Sequence, residues 1–218
     1  MSSLALKEWA VVVRALLAGE QFLDLRKGGL REDERRFDVR STRFWLYPTT
    51  EHQRPELVKP AYRRWVTGDA GFAGAPDEAP LAAPTRGDSD PTGEPADRLR
   101  IEGWADVVGV ATITDETALD ALESKFVWTR AYAESRLQWK QRQPLWVLAL
   151  RAYVLAEPVD LPMRDEYVGC ASWVDLDGLP ADPASLPSEP ALSDESFAAR
   201  FKLCADAIPG GFAGHEGE

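Results

Sequence analysis

Cysteine, histidine and methionine are scarce: the 218 residues include two of each. The cysteines, Cys170 and Cys204, form no CxxC pair, and in a reducing compartment both read as thiols. One of the two histidines, His215, sits in the terminal segment, so no convincing zinc site can be assembled. Long apolar runs are missing too. No stretch approaches the ~20 residues that cross a bilayer. The opening "MSSLALKEWA" has neither the basic flank nor the apolar core of a secretory signal. A cytoplasmic location and no membrane partner are therefore expected. Nucleotide and catalytic signatures are also absent: there is no GxGxxG, GxxxxGK(S/T), HExxH or GxSxG. This speaks against a P-loop ATPase or a dinucleotide enzyme. No cofactor is expected, and whether the chain is an enzyme stays open.

Acidic charge is plentiful, with 36 Asp and Glu against 25 Lys and Arg and a net charge of −11. Its distribution is uneven. The stretch "FLDLRKGGLREDERRFDVRSTRFWLYPTTEHQ", from Phe22 to Gln53, holds Arg26, Lys27, Arg31, Arg35, Arg36, Arg40 and Arg43. Acidity is concentrated instead in the linker-like and terminal segments. Exposed charges are largely screened beyond ~8 Å at physiological salt, so a local basic face is compatible with an acidic total.

Read along the chain, "EWAVVVRALLAGEQFLDLRKGG" is predicted as a β-hairpin. Trp9, Val11, Val13, Ala15 and Leu17 recur at period two, and Ala18-Gly19-Glu20 supplies the turn. Helical spacing over 7–17 is the competing reading; the valine run favours strand. "RFDVRSTRFWLYPT" reads as one or two strands ended by Pro48, and "RPELVKPAYRRWV" as a short helix interrupted at Pro60. Residues 68–98 are rich in Gly, Ala, Pro and Asp and read as a disordered insertion. After it come a strand, "LRIEGWADVVGVATI", and a helix opened by Thr114 or Asp115. A second helix over 126–142 carries Trp128, Tyr132, Ser135 and Trp139 on one stripe. "PLWVLALRAYVL" reads as a strand covered on both faces, "EPVDLP" as a turn and "GCASWVDL" as a last strand. A single domain over 1–177 is expected, followed by a Pro-rich acidic tail, 178–218, with a short helix bearing Phe197, Phe201, Cys204 and Ile208. The fold class is α+β: a mixed, strongly curled sheet, or a small PUA-like barrel, with packed helices.

The candidate anion or nucleic-acid surface starts at Arg26-Lys27-Gly28-Gly29, where two cations precede two glycines that allow close backbone approach to a phosphate. A solvated tight turn is the competing reading. Arg31, Arg40 and Arg43 extend the surface. Thr49, His52 and Gln53 follow the aromatic strand, where a histidine can contact phosphate or act as acid or base; a surface loop is its ordinary alternative. Arg151 interrupts an apolar strand and needs either an ion-pair partner such as Glu134 or a ligand. Trp173 is a candidate base reader. No residue is assigned as catalytic or as a metal ligand. The Trp128, Tyr132 and Trp139 stripe reads as core more readily than as a stacking platform.

Three ordered motifs, "LKEWAVVVRALLAGEQFLDLRKGGLRE", "FWLYPTTEHQ" and "PLWVLALRAYVLAEPVDLPMRDEYVGCASWVDL", resemble the bacterial family DUF1802 across about 4–65 and 100–177. The matching positions are Arg26, Lys27, Gly28, Gly29, Arg31 and Glu32, then Pro48, Thr49, His52 and Gln53, then Arg151, Tyr167, Cys170 and Trp173. The resemblance implies no established activity. It implies a link to restriction-modification through association with Mrr-type nucleases, though this chain carries no nuclease domain. A shorter pattern, an Arg-bearing strand, "EPVDLP" and an aromatic strand, resembles PUA-like domains of the EVE and ASCH groups, small barrels that bind RNA or modified bases. The expectation is a binding module for nucleic acid or a nucleotide. The alternatives are a nuclease-like or other hydrolase using His52 with a nearby acid such as Glu51 or Glu32, and a protein-interaction adaptor. The oligomeric state is left open.

Overall fold

The computed structural model describes residues 3–27, 40–67, 98–139, 144–169 and 171–214. Eight strands form one mixed sheet: β1 (Ser3–Trp9), β2 (Leu23–Lys27), β3 (Arg43–Thr49), β4 (Arg98–Ile113), β5 (Leu145–Pro162), β6 (Trp173–Leu176), β7 (Ser188–Pro190) and β8 (Ala213–Gly214). The main path runs β2-β5-β4-β3-β1-β6, with β7 beside β5 and β8 beside β4. Only β1 and β3 pair in parallel; the other ladders are antiparallel. Five helices cover it: α1 (Ala10–Leu17), α2 (Arg64–Thr67), α3 (Glu116–Leu122), α4 (Arg130–Gln138) and α5 (Asp194–Ala207). The class is α+β, as the sequence indicates.

The sheet curls strongly without closing among the described residues. β2 and β1 stand four places apart in the strand order, which on a flat sheet would separate them by ~19 Å. Nevertheless the Arg26 guanidinium on β2 reaches the Glu8 carboxylate on β1 at 2.8 Å and the Lys7 carbonyl at 3.3 Å. Side chains therefore bridge the seam where a closed barrel would have backbone pairing.

Both faces of the central strands are buried. On β3, Phe44 and Leu46 join the larger core while Trp45 and Tyr47 join a second cluster with Ile101, Trp104, Leu155 and Tyr167. Burial on both faces explains the near-continuous apolar runs.

The hairpin expected over residues 9–27 is not formed. β2 is a strand, but residues 10–17 are α1, and β1 pairs with β3 and β6 instead of β2. Ala10, Val11, Val12, Val13, Ala15 and Leu16 are all buried. A helix buried nearly all round leaves little polar periodicity, and tertiary burial overrides the valines' strand preference. Pro48 lies inside β3 rather than ending it. β4 pairs with β3 only at residues 43–45, so among the described residues Pro48 has no ladder partner on that side, while it stands opposite Glu8 of β1 on the other. "EPVDLP" likewise continues β5. The ladder passes from Ile101↔Val159 to Gly103↔Val154, placing Pro158 in a bulge.

Other expectations match. Asp115 caps α3 by accepting from the N–H groups of Thr117 and Ala118. "GCASWVDL" supplies β6, although β7 and β8 follow it. Two short 3₁₀ turns, Pro55–Leu57 and Pro60–Tyr62, precede α2. The terminal helix α5 buries Phe197 and Cys204 in the larger core, joined by Ile208 just past its end, and Phe197 meets Phe22 edge-on at 5.7 Å. Burial pushes the Cys204 thiol up. The insertion expected at about 68–98 lies, up to residue 97, outside the described residues.

Candidate functional site

A pocket of about 350 Å³ opens at the β1/β2 seam. Its residues come from several elements that end together. β1 supplies Lys7, Glu8 and Trp9; β2 supplies Leu25 and Arg26; and Thr49 at the end of β3 is followed by Glu51 and His52. Trp128, Tyr132 and Arg136 close one side from the start and face of α4, and Gly169, Ala171 and Ser172 close the other.

A charged network forms its floor. Arg26 donates from Nε to Asp24 Oδ2 at 2.7 Å and pairs with Glu8 Oε2 at 2.8 Å. Glu8 Oε1 also accepts the Trp9 N–H at 2.7 Å. Asp24 is fully buried, and its Oδ1 has no hydrogen-bond partner among the described residues. Burial pushes the Glu8 carboxyl up to about 7; Arg26 opposes that rise and Asp24 adds to it. Burial works against the Arg26 charge, but Asp24 and Glu8 outweigh it and the guanidinium is held above its ordinary value. This carboxyl can change charge near neutral pH inside an open pocket, a property suited to proton-linked binding or acid–base chemistry.

The walls are aromatic. Trp9 stacks on Tyr132 at 5.1 Å with an interplanar angle of 27°, and Trp128 lies 6.1 Å from Tyr132. The Trp128 indole N–H is buried without a partner among the described residues. Burial raises the Tyr132 phenol. Lys7, also buried, donates to the carbonyls of Tyr167 and Gly169 and lies 4.9 Å from the centre of the Tyr47 ring, tying the 167–169 loop to β1. Gly169 adopts φ +100°, a conformation natural to glycine, and its N–H donates to Glu51 at 3.3 Å. His52 is exposed on the rim with φ 60°, a left-handed conformation uncommon for a non-glycine residue.

Of the residues expected at the site, Arg26, Thr49 and His52 line this pocket. The others sit elsewhere. Arg26 and Lys27 do not form an exposed turn: they are 9% and 7% exposed. Lys27 donates to the Leu137 carbonyl at 2.6 Å, at the C-terminal end of α4, and burial lowers its pKa. Gln53 accepts the Val11 N–H at 3.0 Å and so satisfies the start of α1. Arg43 grips Asp106 with two hydrogen bonds, at 2.7 and 3.0 Å, and lies 4.9 Å from the centre of the Trp104 ring. Arg151 pairs with Asp194 at the start of α5, rather than Glu134, and lies 5.0 Å from the Phe197 ring centre. Trp173 is buried edge-on against Phe44 at 5.1 Å. Arg40 is exposed. Gly28, Gly29, Arg31 and Cys170 lie outside the described residues.

Sequence reasoning missed Lys7, Glu8, Trp9 and Arg136, and it read Tyr132 first as core. A signal for the first two was present. Two adjacent charges, "KE", interrupt an apolar strand, where burial of either requires a partner. The same holds for Asp24 and Arg26, two apart in "LDLRK" and hence on one strand face. Among the described residues, no three His, Cys, Asp or Glu side chains converge as metal ligands do. No described helix is long and apolar enough to cross a membrane.

No curated protein matches the chain. Among solved structures, it is similar to a Tyr-to-Phe mutant of ZmASCH from Zymomonas mobilis, with 10% identity over 82% of this chain and 92% of that one and a TM-score of 0.37. The model of the domain of unknown function DUF1802 matches residues 5–202, and the chain belongs to that family.

Proposed function

We propose that the chain is a binding module for a nucleotide, or for an unpaired base of a nucleic acid, which seats its base in the β1/β2 seam pocket. One observation carries this reading: a pocket of about 350 Å³ joins an aromatic wall to a buried, charged floor. That volume lies within the usual range of small-molecule sites. Trp9 and Tyr132, half-buried in the wall, give a planar ring an aromatic surface to lie against, and base–aromatic stacking is worth about 1–3 kcal/mol per base. Arg136 and His52 line the same pocket and suit a phosphate attached to that base. Among the described residues of the basic stretch, Arg26 contributes in the pocket floor. A link to restriction-modification follows from the family resemblance alone and would accompany the nucleic-acid form of this reading.

Titration of intrinsic tryptophan fluorescence tests it, because Trp9 and Trp128 line the pocket. Nucleoside monophosphates and short single strands should give saturable changes and compete with one another. Duplexes should bind more weakly, since a stacked base must leave its helix to enter. No response to any of them at millimolar concentration and low salt would remove the reading.

Glu8 favours a second reading. A carboxyl held near 7 is suited to general acid–base work, and His52 stands on the rim of the same pocket. A hydrolase of this kind would use Glu8, rather than Glu51 or Glu32, as its acid. Product release from nucleotides or oligonucleotides, lost in Glu8→Gln, would establish it; binding without turnover across pH 5–9 would exclude it.

A further inference from the structure

We propose, resting on the nucleotide reading of this pocket, that Glu8 determines base specificity by accepting two adjacent N–H donors, so that the site prefers guanine. Each Glu8 oxygen already faces one protein group. Oε1 accepts the Trp9 N–H at 2.7 Å, and Oε2 is ion-paired with Arg26 at 2.8 Å. An ionised carboxylate has about four acceptor positions, which leaves one on each oxygen. The side chain is 11% exposed, and it lines the pocket. Two acceptors side by side match two parallel donors. Guanine presents such a pair, N1–H beside the N2 amino group. Adenine and cytosine present one donor beside an acceptor, and uracil places its single donor between two acceptors. A ring acceptor facing a carboxylate is repelled.

A second observation concerns the complementary partner. Among the described residues, the buried indole N–H of Trp128, a residue that lines the pocket, has no hydrogen-bond partner. A buried donor left unpaired calls for an explanation, and a ring carbonyl or nitrogen of the ligand supplies an acceptor. Guanine carries both kinds of group, donors on one part of its edge and O6 and N7 acceptors on the other.

The preference is linked to protonation. Arg26 and Asp24 face Glu8 from β2, and Tyr132 and Arg136 from α4; Lys7 lies beside it on β1, and Glu51 and His52 line the same pocket. Arg26 and Arg136 favour its charged form and Asp24 opposes it. Protonation turns one acceptor position into a donor, so the guanine preference should fall as pH drops below about 7.

Competition binding at pH 8 with GMP, IMP, AMP, CMP and UMP tests the inference on the unaltered protein. IMP differs from GMP only by the N2 amino group. GMP should bind about tenfold more tightly than IMP or AMP, the range of one good bidentate base contact. The advantage should shrink toward pH 6. Glu8→Gln, which keeps size but loses an acceptor, should reduce it to within about threefold. A single-stranded oligonucleotide with one guanine, titrated beside GMP, distinguishes a base within a strand from a free nucleotide. Equal affinity for all five nucleotides, or a preference for AMP, CMP or UMP, would overturn the inference and leave the nucleotide site standing. Binding of none would remove the nucleotide reading itself.

Discussion

Replacing Arg26 with alanine separates two pictures of the molecule. If Arg26 lay on an exposed turn, the change would cost no more than about 0.5 kcal/mol, as exposed substitutions usually do. The structure places it at 9% exposure, between Asp24 at 2.7 Å and Glu8 at 2.8 Å, with a further contact to the Lys7 carbonyl. Arg26→Ala would leave the buried Asp24 carboxylate, and Glu8 in its ionised form, without their cation. Removing one partner of a buried pair costs about 3–5 kcal/mol, because the remaining charge is uncompensated. It would also release the side-chain bridge that holds β2 against β1. Equilibrium urea unfolding at pH 7, followed by tryptophan fluorescence, should show a loss of that size with an unchanged slope. Asp24→Asn/Glu8→Gln/Arg26→Met, which removes the charges together, should recover most of the loss, since the stranded carboxylates are then gone. A loss under 1 kcal/mol for Arg26→Ala would refute the buried network and with it the bridged seam.

Three further outcomes are expected. Glu8 has a folded pKa of about 7 against an ordinary 4.5, so between those values the folded state holds a proton that the unfolded chain has released. Its contribution is full below 4.5 and is lost as pH rises through about 7, a change of about 3 kcal/mol; urea midpoints from pH 4 to 8 should decline with pH, and less steeply in Glu8→Gln, whereas identical slopes would contradict the shift. Gly169→Ala should cost about 1–2 kcal/mol in thermal or urea unfolding, from backbone strain alone, because φ is +100° and an added Cβ meets nothing within 4 Å. Phe197→Ala should cost about 3 kcal/mol by urea unfolding, as for a large buried side chain; a change near zero would mean that α5 is not part of the core.

The sequence announces those features whose causes are local. Asp115 before "ETALDAL" is a cap that needs no tertiary partner, and the apolar run in β5 reports burial on both faces wherever its neighbours lie. What it conceals depends on partners distant in the chain. Residues 10–17 alternate well enough for a strand, and only enclosure by the sheet and its helices makes them α1. The prolines at 48 and 158 look like stops, yet a side of β3 that β4 leaves unpaired and a bulge in β5 accommodate them. At the site, His52, Thr49 and Arg26 are visible as polar residues in telling places. Glu8 is not, because its significance comes from β2, four strands away in the sheet, curling back to meet it. Arg43 and Arg151 mislead for the same reason: their acidic partners, Asp106 and Asp194, lie far along the chain.

A crystal structure of the protein grown with GMP would test the pocket assignment most directly. The ring should lie against Trp9, Trp128 or Tyr132, with its N1 and N2 edge within hydrogen-bond distance of Glu8 and its phosphate toward Arg136 and His52. Density for the nucleotide elsewhere on the surface, with the seam pocket filled only by water at saturating ligand, would contradict it.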